Sequence, residues 1–140
     1  MKHVLVIDDE PFVRDALKRV LESEAVSVQA AGDAEAALAQ LRGQIADVVI
    51  VDVIMPGMDG VQLIKRLRAE YPSVRIVAIS GGGNFELSGY RPEAVSTRAY
   101  LAAATNAGAD AVLAKPFDTA ELEGVVRPLL ERAPPQRALS

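Results

Sequence analysis

The sequence predicts an α/β protein in which helices cover both faces of a five-stranded parallel sheet. Short, continuous apolar runs alternate along the chain with segments of helical periodicity. The apolar runs lack the polar alternation of half-exposed strands, as burial on both faces requires. Strands and helices that alternate in this way form βαβ units with right-handed crossovers.

The elements follow one another in a regular order. The predicted strands cover residues 4–7, 26–30, 48–51, 74–79 and 111–114. The predicted helices cover residues 11–21, 34–43, 59–71, 92–107 and 119–130, and all but the fourth have apolar residues at helical spacing.

Local signals predict where several helices begin and end. Pro11 suits a first helical turn, because its fixed φ and missing N–H are tolerated there. Asp33 is a predicted N-cap, and Asp118 with Glu121 forms a predicted capping box. Pro72 is expected to end the third helix.

The composition excludes several classes of protein. The chain has 140 residues, of which 50% are apolar and 24% charged, which is typical of one soluble domain. A net charge of −4 without a basic cluster argues against nucleic acid or an anionic membrane as partner. There is no cysteine, hence no disulfide framework. With no membrane-length apolar run and no room for a signal peptide before the first strand, we expect a cytoplasmic protein.

Polar side chains stand at the carboxyl ends of the predicted strands, where each apolar run stops. They are Asp8, Asp9 and Glu10 after the first strand, Asp52 after the third, Ser80 after the fourth and Lys115 after the fifth. In open parallel sheets the functional site lies beyond this edge, so these groups are expected to converge.

The converging groups indicate phosphoryl transfer. Several carboxylates in one place repel one another unless a cation intervenes, and Mg²⁺ prefers a few carboxylate oxygens plus waters. A carboxylate can act as a nucleophile and form an acyl phosphate. A metal and a lysine then neutralise the phosphoryl oxygens, to which a hydroxyl can donate a hydrogen bond.

Over nearly its whole length the chain resembles the receiver domains of two-component response regulators, which belong to the CheY-like family. The matching motifs are Asp8-Asp9, Asp52 followed by Met55-Pro56-Gly57-Met58-Asp59-Gly60, Ser80, Ala107-Gly108-Ala109 and Lys115-Pro116-Phe117. Each motif alone is weak, but all of them in order on the right elements are very specific. The resemblance implies a flavodoxin-like doubly wound sheet with strand order 2-1-3-4-5 and five helices. It assigns residues 1–132 to the receiver domain and leaves 133–140 as a short tail, expected to be disordered.

The resemblance also implies roles for the site residues. Asp52 would accept a phosphoryl group from a histidine of a sensor kinase or a phosphotransfer protein. Ser80 would follow that group and Lys115 would pair with it. The peptide bond before Pro116 is expected to be cis.

For the metal, the resemblance implies a Mg²⁺ ion. Asp9, Asp52 and the backbone carbonyl of Ile54 would bind it directly, and Asp8 would bind it through water. No further cofactor is expected.

Simpler roles stay open for some of these residues. Asp9 or Glu10 could merely cap the first helix, and Asp59 is favoured as the cap of the third. Ser80 alone could be a turn residue and Lys115 a solvated charge. The functional interpretation of these residues rests on all of them occurring together.

Three features depart from the family pattern. Gly108 follows Ser80 by 28 positions, more than one helix and a short loop need, so we expect a mobile loop at about residues 84–91. Val112 stands where the family usually has an aromatic side chain, for which Tyr90 or Tyr100 are possible substitutes. Gly124 and Pro128 interrupt the last helix, where we expect a kink or an early end.

We therefore expect a stand-alone receiver that acts by protein binding or onward phosphoryl transfer and turns over no separate substrate. The alternative is a receiver-like interaction module that works without phosphorylation. A haloacid-dehalogenase-type phosphatase would need Asp-x-Asp after the first strand, and an FMN carrier would have no use for these acids.

Overall fold

The computed structural model describes residues 1–55, 58–80 and 93–131, without the side chains of residues 55, 58, 59 and 93–98. Its strands are β1 (Lys2–Ile7), β2 (Val26–Ala31), β3 (Val48–Asp52), β4 (Ile54–Met55), β5 (Met58–Asp59), β6 (Arg75–Ser80) and β7 (Ala111–Ala114). Its helices are α1 (Pro11–Leu21), α2 (Ala34–Gly43), α3 (Gly60–Glu70), α4 (Glu93–Ala107) and α5 (Thr119–Glu131).

The main sheet has five strands in the order β2-β1-β3-β6-β7, and every neighbouring pair is parallel. This confirms the predicted order 2-1-3-4-5. The chain reverses its direction of travel across the sheet between β1 and β3. Polar groups at the carboxyl ends of these two strands therefore lie at the switch point, where open α/β sheets bind their ligands.

The core consists of two apolar layers, one on each face of the sheet. Alternate strand residues contribute to opposite layers because successive side chains point to opposite faces. Leu5 and Val49 lie in the layer that packs against α2 and α3. Val4 and Val48 lie in the layer that packs against α1 and α5. All five residues of β3 are buried, which explains why this strand reads as a continuous apolar run.

Several predicted helix signals are confirmed. Pro11 is the first residue of α1. The backbone N–H of Ala36 donates to Asp33 Oδ1 at 2.8 Å. The capping box of α5 is complete, since Glu121 N–H donates to Asp118 Oδ1 at 2.8 Å and Asp118 N–H donates to Glu121 Oε1 at 3.3 Å.

The sequence predicted a kink or an early end of the last helix. The early end is wrong, because α5 continues through Pro128 to Glu131, and the kink stays a prediction. Val126 before the proline and Leu129 and Leu130 after it are buried. Burying each of these side chains contributes about 1.5–3 kcal/mol, which together exceeds the ~3 kcal/mol cost of an interior proline.

A short antiparallel pair, β4 with β5, was not predicted. Two-residue strands are too short to carry an apolar period. The expected loop at 84–91 and the tail at 133–140 lie outside the described residues. Within the described part of the chain, no helix is both long enough and apolar enough to cross a bilayer.

Candidate functional site

Three of the predicted residues meet at the carboxyl edge of the sheet. Lys115 Nζ lies 3.2 Å from Asp8 Oδ2 and 3.3 Å from Asp52 Oδ2. Glu10 Oε1 lies farther away, at 3.8 Å. Asp8 is fully buried and Asp52 is 4% exposed. One lysine therefore serves two buried carboxylates that come from different strands.

The backbone around Asp52 fixes the direction of its side chain. Ile54 N–H donates to Asp52 Oδ1 at 2.9 Å, which leaves Oδ2 toward Lys115. The next residue, Val53, is tied to β6 because its N–H donates to the carbonyl of Ile79 at 2.9 Å. These bonds hold the carboxylate at the end of a buried strand.

Lys115 is placed by the strand that precedes it and by its own backbone. Its N–H donates to the carbonyl of Ser80 at 2.8 Å. The Lys115–Pro116 peptide bond is cis, as predicted. The Lys115 side chain is only 12% exposed, so its ammonium is largely removed from bulk water.

Every polar group of Asp8 has a partner. Its N–H donates to the carbonyl of Ala31 at 3.1 Å, and its own carbonyl accepts from Arg14 Nη1 at 2.7 Å. Oδ1 accepts from Glu10 N–H at 2.9 Å, and Oδ2 accepts from Lys115. Two of these hydrogen bonds fix the backbone of Asp8, and the other two fix its buried carboxylate.

The pKa values of Asp52 and Lys115 are shifted both by burial and by the charges around them. Burial raises the pKa of Asp52 from 3.8 to about 6, although the charge of Lys115 and the Ile54 N–H act to lower it. Burial alone would lower the pKa of Lys115, but the charges of Asp52 and Asp8 raise it above its usual 10.5. At neutral pH the site holds an ammonium beside an ionised Asp52.

Ser80 lies at the end of β6 and is completely buried. Its hydroxyl has no hydrogen-bond partner within the described ranges. A buried hydroxyl without a partner is costly and uncommon in folded proteins. The carbonyl of the same residue accepts the Lys115 N–H. Ser80 and Lys115 therefore lie side by side at the carboxyl edge of the sheet.

The acidic turn, which we define as Asp8, Asp9 and Glu10, could hold a cation. One carboxylate oxygen from each residue lies within 4.8 Å of the others. Asp9 is exposed and Asp8 is buried, so the turn joins the interior to solvent. Hard oxygen ligands with access to water suit Mg²⁺. Asp52 is not part of this group.

The sequence placed Glu10 at this edge but did not predict it as a metal ligand, and it did not identify Arg14 at all. Glu10 occupies the N-cap position of α1, but its side chain makes no capping hydrogen bond. Its carboxylate is therefore available as a ligand in the acidic turn. The feature of the sequence that indicated this was the run of three successive acidic residues. Arg14 carried no signal, because its contact with the Asp8 carbonyl depends on the path of the backbone.

The remaining predictions concern residues outside this cluster. Val112 is 38% exposed and Tyr100 42% exposed, so neither fills an interior position beside Ser80. His3 lies at the opposite end of β1, with Nε2 2.8 Å from Gln44 Nε2. Tyr90 and the side chain of Asp59 lie outside the described residues.

Comparison with known proteins agrees with this geometry. Residues 4–90, more than half of the chain, match the response regulator receiver domain family. The chain belongs to this family. The match places the chain in the receiver family rather than among the phosphatases or FMN carriers.

Individual relatives cover nearly all of this receiver. It is 36% identical over 132 residues to response regulator Rre1 of Synechocystis sp., a match that covers 92% of this chain and 52% of that protein. It is 32% identical to the transcriptional regulatory protein FixJ of Bradyrhizobium diazoefficiens, covering 95% of this chain and 58% of FixJ. The receiver therefore spans about half the length of the curated relatives it matches.

Among solved structures, the receiver domain of NtrX from Brucella abortus superimposes with a TM-score of 0.76 at 30% identity, covering 93% of this chain and 99% of that one. The predicted exclusion of nucleic acid stays a prediction, since one relative is named a transcriptional regulatory protein.

Proposed function

We propose that this receiver accepts a phosphoryl group on Asp52 from a phosphohistidine of a sensor kinase or phosphotransfer protein. One observation carries the proposal: a carboxylate that is 4% exposed lies 3.3 Å from a lysine ammonium at the switch point of the sheet. Such a carboxylate is rigidly held and ionised at neutral pH, as a nucleophile must be.

In the proposed step an oxygen of Asp52 attacks phosphorus. The new O–P bond forms as the bond from phosphorus to the histidine ring nitrogen breaks, and the ring nitrogen leaves with the electron pair. The donor reacts with its other ring nitrogen protonated, so the products are an acyl phosphate on Asp52 and a neutral imidazole on the donor. With acetyl phosphate the leaving group is acetate.

Lys115 and Ser80 assist in different ways. The ammonium of Lys115 neutralises charge on a phosphoryl oxygen, which is worth most in a site shielded from water. The Ser80 hydroxyl, which has no partner within the described ranges, donates a hydrogen bond to another of these oxygens.

Mg²⁺ fits the oxygen ligands of the site. The acidic turn would hold it, and the family likeness adds Asp52 and the carbonyl of Ile54 as ligands. When bound, Mg²⁺ neutralises negative charge on the carboxylates and on the transferred group. The surrounding residues orient the Asp52 nucleophile, and the ammonium of Lys115 is the positive charge that the protein itself supplies to the site.

The output is proposed to be protein binding or onward phosphoryl transfer, by a cytoplasmic chain that turns over no separate substrate. A receiver-like module that binds partners without phosphorylation is the second candidate. Val112 favours it, because this side chain is exposed where the family's aromatic switch would stand.

Intact mass spectrometry after incubation with Mg²⁺ and acetyl phosphate tests the proposal. We expect a gain of one phosphoryl group that is lost on chelation of Mg²⁺ and in Asp52→Asn. Asp15→Asn is the matched control, because Asp15 is exposed on α1 and the substitution is chemically identical. No gain in the wild-type protein, although it binds Mg²⁺, would favour the interaction module.

A further inference from the structure

We propose that Arg14 is a positioning residue that holds the acidic turn in the geometry needed to bind a divalent cation, and that Gly32 provides the space its guanidinium occupies. The inference rests on the proposed function only in taking Mg²⁺ as the cation. It concerns how the site is built, and it assigns Arg14 no contact with the metal or the phosphoryl group.

The central contact is a hydrogen bond from Arg14 Nη1 to the carbonyl of Asp8, at 2.7 Å. This carbonyl begins the acidic turn, one residue beyond the end of β1, where Asp8 N–H makes a last hydrogen bond to the carbonyl of Ala31 at 3.1 Å. Arg14 also belongs to α1, and its N–H donates to the carbonyl of Glu10 at 3.1 Å. One residue therefore ties both ends of the turn to the helix that follows it.

Gly32 explains how the guanidinium fits. A Cβ at this position would lie 3.1 Å from Arg14 Nη1 and 3.7 Å from its Cζ. The backbone of Gly32 is not in the left-handed region, since Gly108 is the one described glycine with positive φ. A Cβ here would therefore require the guanidinium to shift by a few tenths of an ångström, so glycine matters at this position for space rather than for conformation. The loop after β2 and the turn after β1 are coupled through Arg14.

The charge of Arg14 makes the inference testable. Arg14 takes part in none of the ion pairs found within the described ranges. A positive charge close to a cation site weakens binding by Coulomb repulsion. If charge alone mattered, removing Arg14 would strengthen Mg²⁺ binding. If positioning matters more, removing it weakens binding, because residues that orient metal ligands typically contribute tenfold or more in affinity.

The experiment measures the Mg²⁺ dissociation constant by titration of the backbone amide resonances of residues 8–10 in the full chain. The variants are Arg14→Met, Arg14→Lys, Gly32→Val and the Arg14→Met/Gly32→Val double substitution. Arg19→Met is the control, because Arg19 is exposed on the same helix and its loss changes the net charge equally. Thermal unfolding of each variant shows whether it is folded.

We expect Arg14→Met to weaken Mg²⁺ binding about tenfold and Arg14→Lys to lie between it and the wild type. Gly32→Val should weaken binding in the wild-type background and have no further effect in Arg14→Met, because it acts through Arg14. Unchanged or tighter binding by folded Arg14→Met would overturn the inference. So would independent, additive effects of the two substitutions, or a wild-type protein that binds no Mg²⁺.

The two proposals fail in different ways. A wild-type protein that binds Mg²⁺ but gains no phosphoryl group contradicts the proposed function and leaves the affinity comparison intact. Normal phosphorylation of the wild type, with Mg²⁺ affinities that do not differ among the variants, contradicts the role of Arg14 alone.

Discussion

The Nζ atom of Lys115 lies 3.3 Å from Oδ2 of Asp52, although 63 positions separate the two residues in the chain. The sheet brings them together, because β3 and β7 both end at the same edge, on either side of β6. Burial still dominates the pKa of Asp52, which is raised to about 6 despite the ammonium beside it. The ionised form of Asp52, the proposed nucleophile, is therefore stabilised by Lys115 and by any bound cation.

Removing the lysine should destabilise the protein in a pH-dependent way. Lys115→Met leaves two buried carboxylates without their shared cation, and breaking a buried pair costs about 3–5 kcal/mol. We expect a loss of this size in the free energy of unfolding at pH 8. The loss should be smaller at pH 5, where Asp52 is protonated. Urea denaturation at both pH values measures it.

For this variant, Lys18→Met is the control, since Lys18 is exposed on α1. A loss of stability that is equal at pH 5 and pH 8 would show that the charge of Lys115 is not what matters. Added Mg²⁺ should recover part of the stability at pH 8, because it supplies positive charge to the same carboxylates.

Neutralising Asp52 should have the opposite effect on stability. The pKa of Asp52 is about 6 in the folded protein, against an ordinary value of 3.8. Between these values the folded state binds more protons than the unfolded state, so the contribution of this group to stability falls as pH rises through this window. Asp52→Asn removes the penalty and should raise the free energy of unfolding at pH 8 by about 1–3 kcal/mol.

The same comparison at pH 4 should show no gain, because the wild-type carboxyl is then protonated and resembles the amide. Saturating Mg²⁺ should reduce the gain at pH 8. Equal stabilities of Asp52→Asn and the wild type at pH 8 without metal would contradict the raised pKa.

Ser80→Ala separates a functional hydroxyl from a structural one. The hydroxyl makes no hydrogen bond within the described ranges, so its removal should leave the free energy of unfolding unchanged or slightly higher. Phosphorylation by acetyl phosphate should slow by about a hundredfold to a thousandfold, since one donor to the developing charge is lost. A destabilised variant with a normal rate would assign Ser80 a structural role instead.

Gly60 tests how closely α3 must approach the site. A Cβ on Gly60, the first residue of α3, would clash with the Cα of Val53 and would lie 2.9 Å from the Asp52 carbonyl oxygen. Overpacking of this kind costs about 1–3 kcal/mol. We expect Gly60→Ala to lose stability in this range and to slow phosphorylation, because the backbone of Asp52 must shift.

Gly124→Ala is the matched comparison for Gly60→Ala. Nothing lies within 4 Å of a Cβ at Gly124, in the interior of α5. This change should raise stability by about 0.4–1 kcal/mol and leave the rate unaltered. Equal effects of the two substitutions would contradict the close approach at Gly60.

The sequence was sufficient for the sheet and for much of the site. Continuous apolar runs predicted the fully buried β3, and polar residues where the runs stop predicted the meeting of Asp8, Asp52 and Lys115. These predictions succeed because parallel strands place their carboxyl ends at one edge.

Features that depend on the path of the backbone were not predictable. The contact of Arg14 with the Asp8 carbonyl, the space above Gly32 and the short β4–β5 pair leave no pattern in the residue types. The helix α5 continues past Pro128 because Leu129 and Leu130 are buried. This tertiary burial overrides the low helix propensity of proline.

The most direct test of the central claim is to locate the phosphoryl group. The protein is incubated with acetyl phosphate and Mg²⁺, treated with borohydride and analysed by tandem mass spectrometry of its peptides. Borohydride reduces an acyl phosphate and converts the aspartate that carried it to homoserine. We expect homoserine at position 52 and no conversion at Asp8, Asp9 or Asp59. Conversion at another acid, or none in protein that binds Mg²⁺, would contradict Asp52 as the phosphoacceptor.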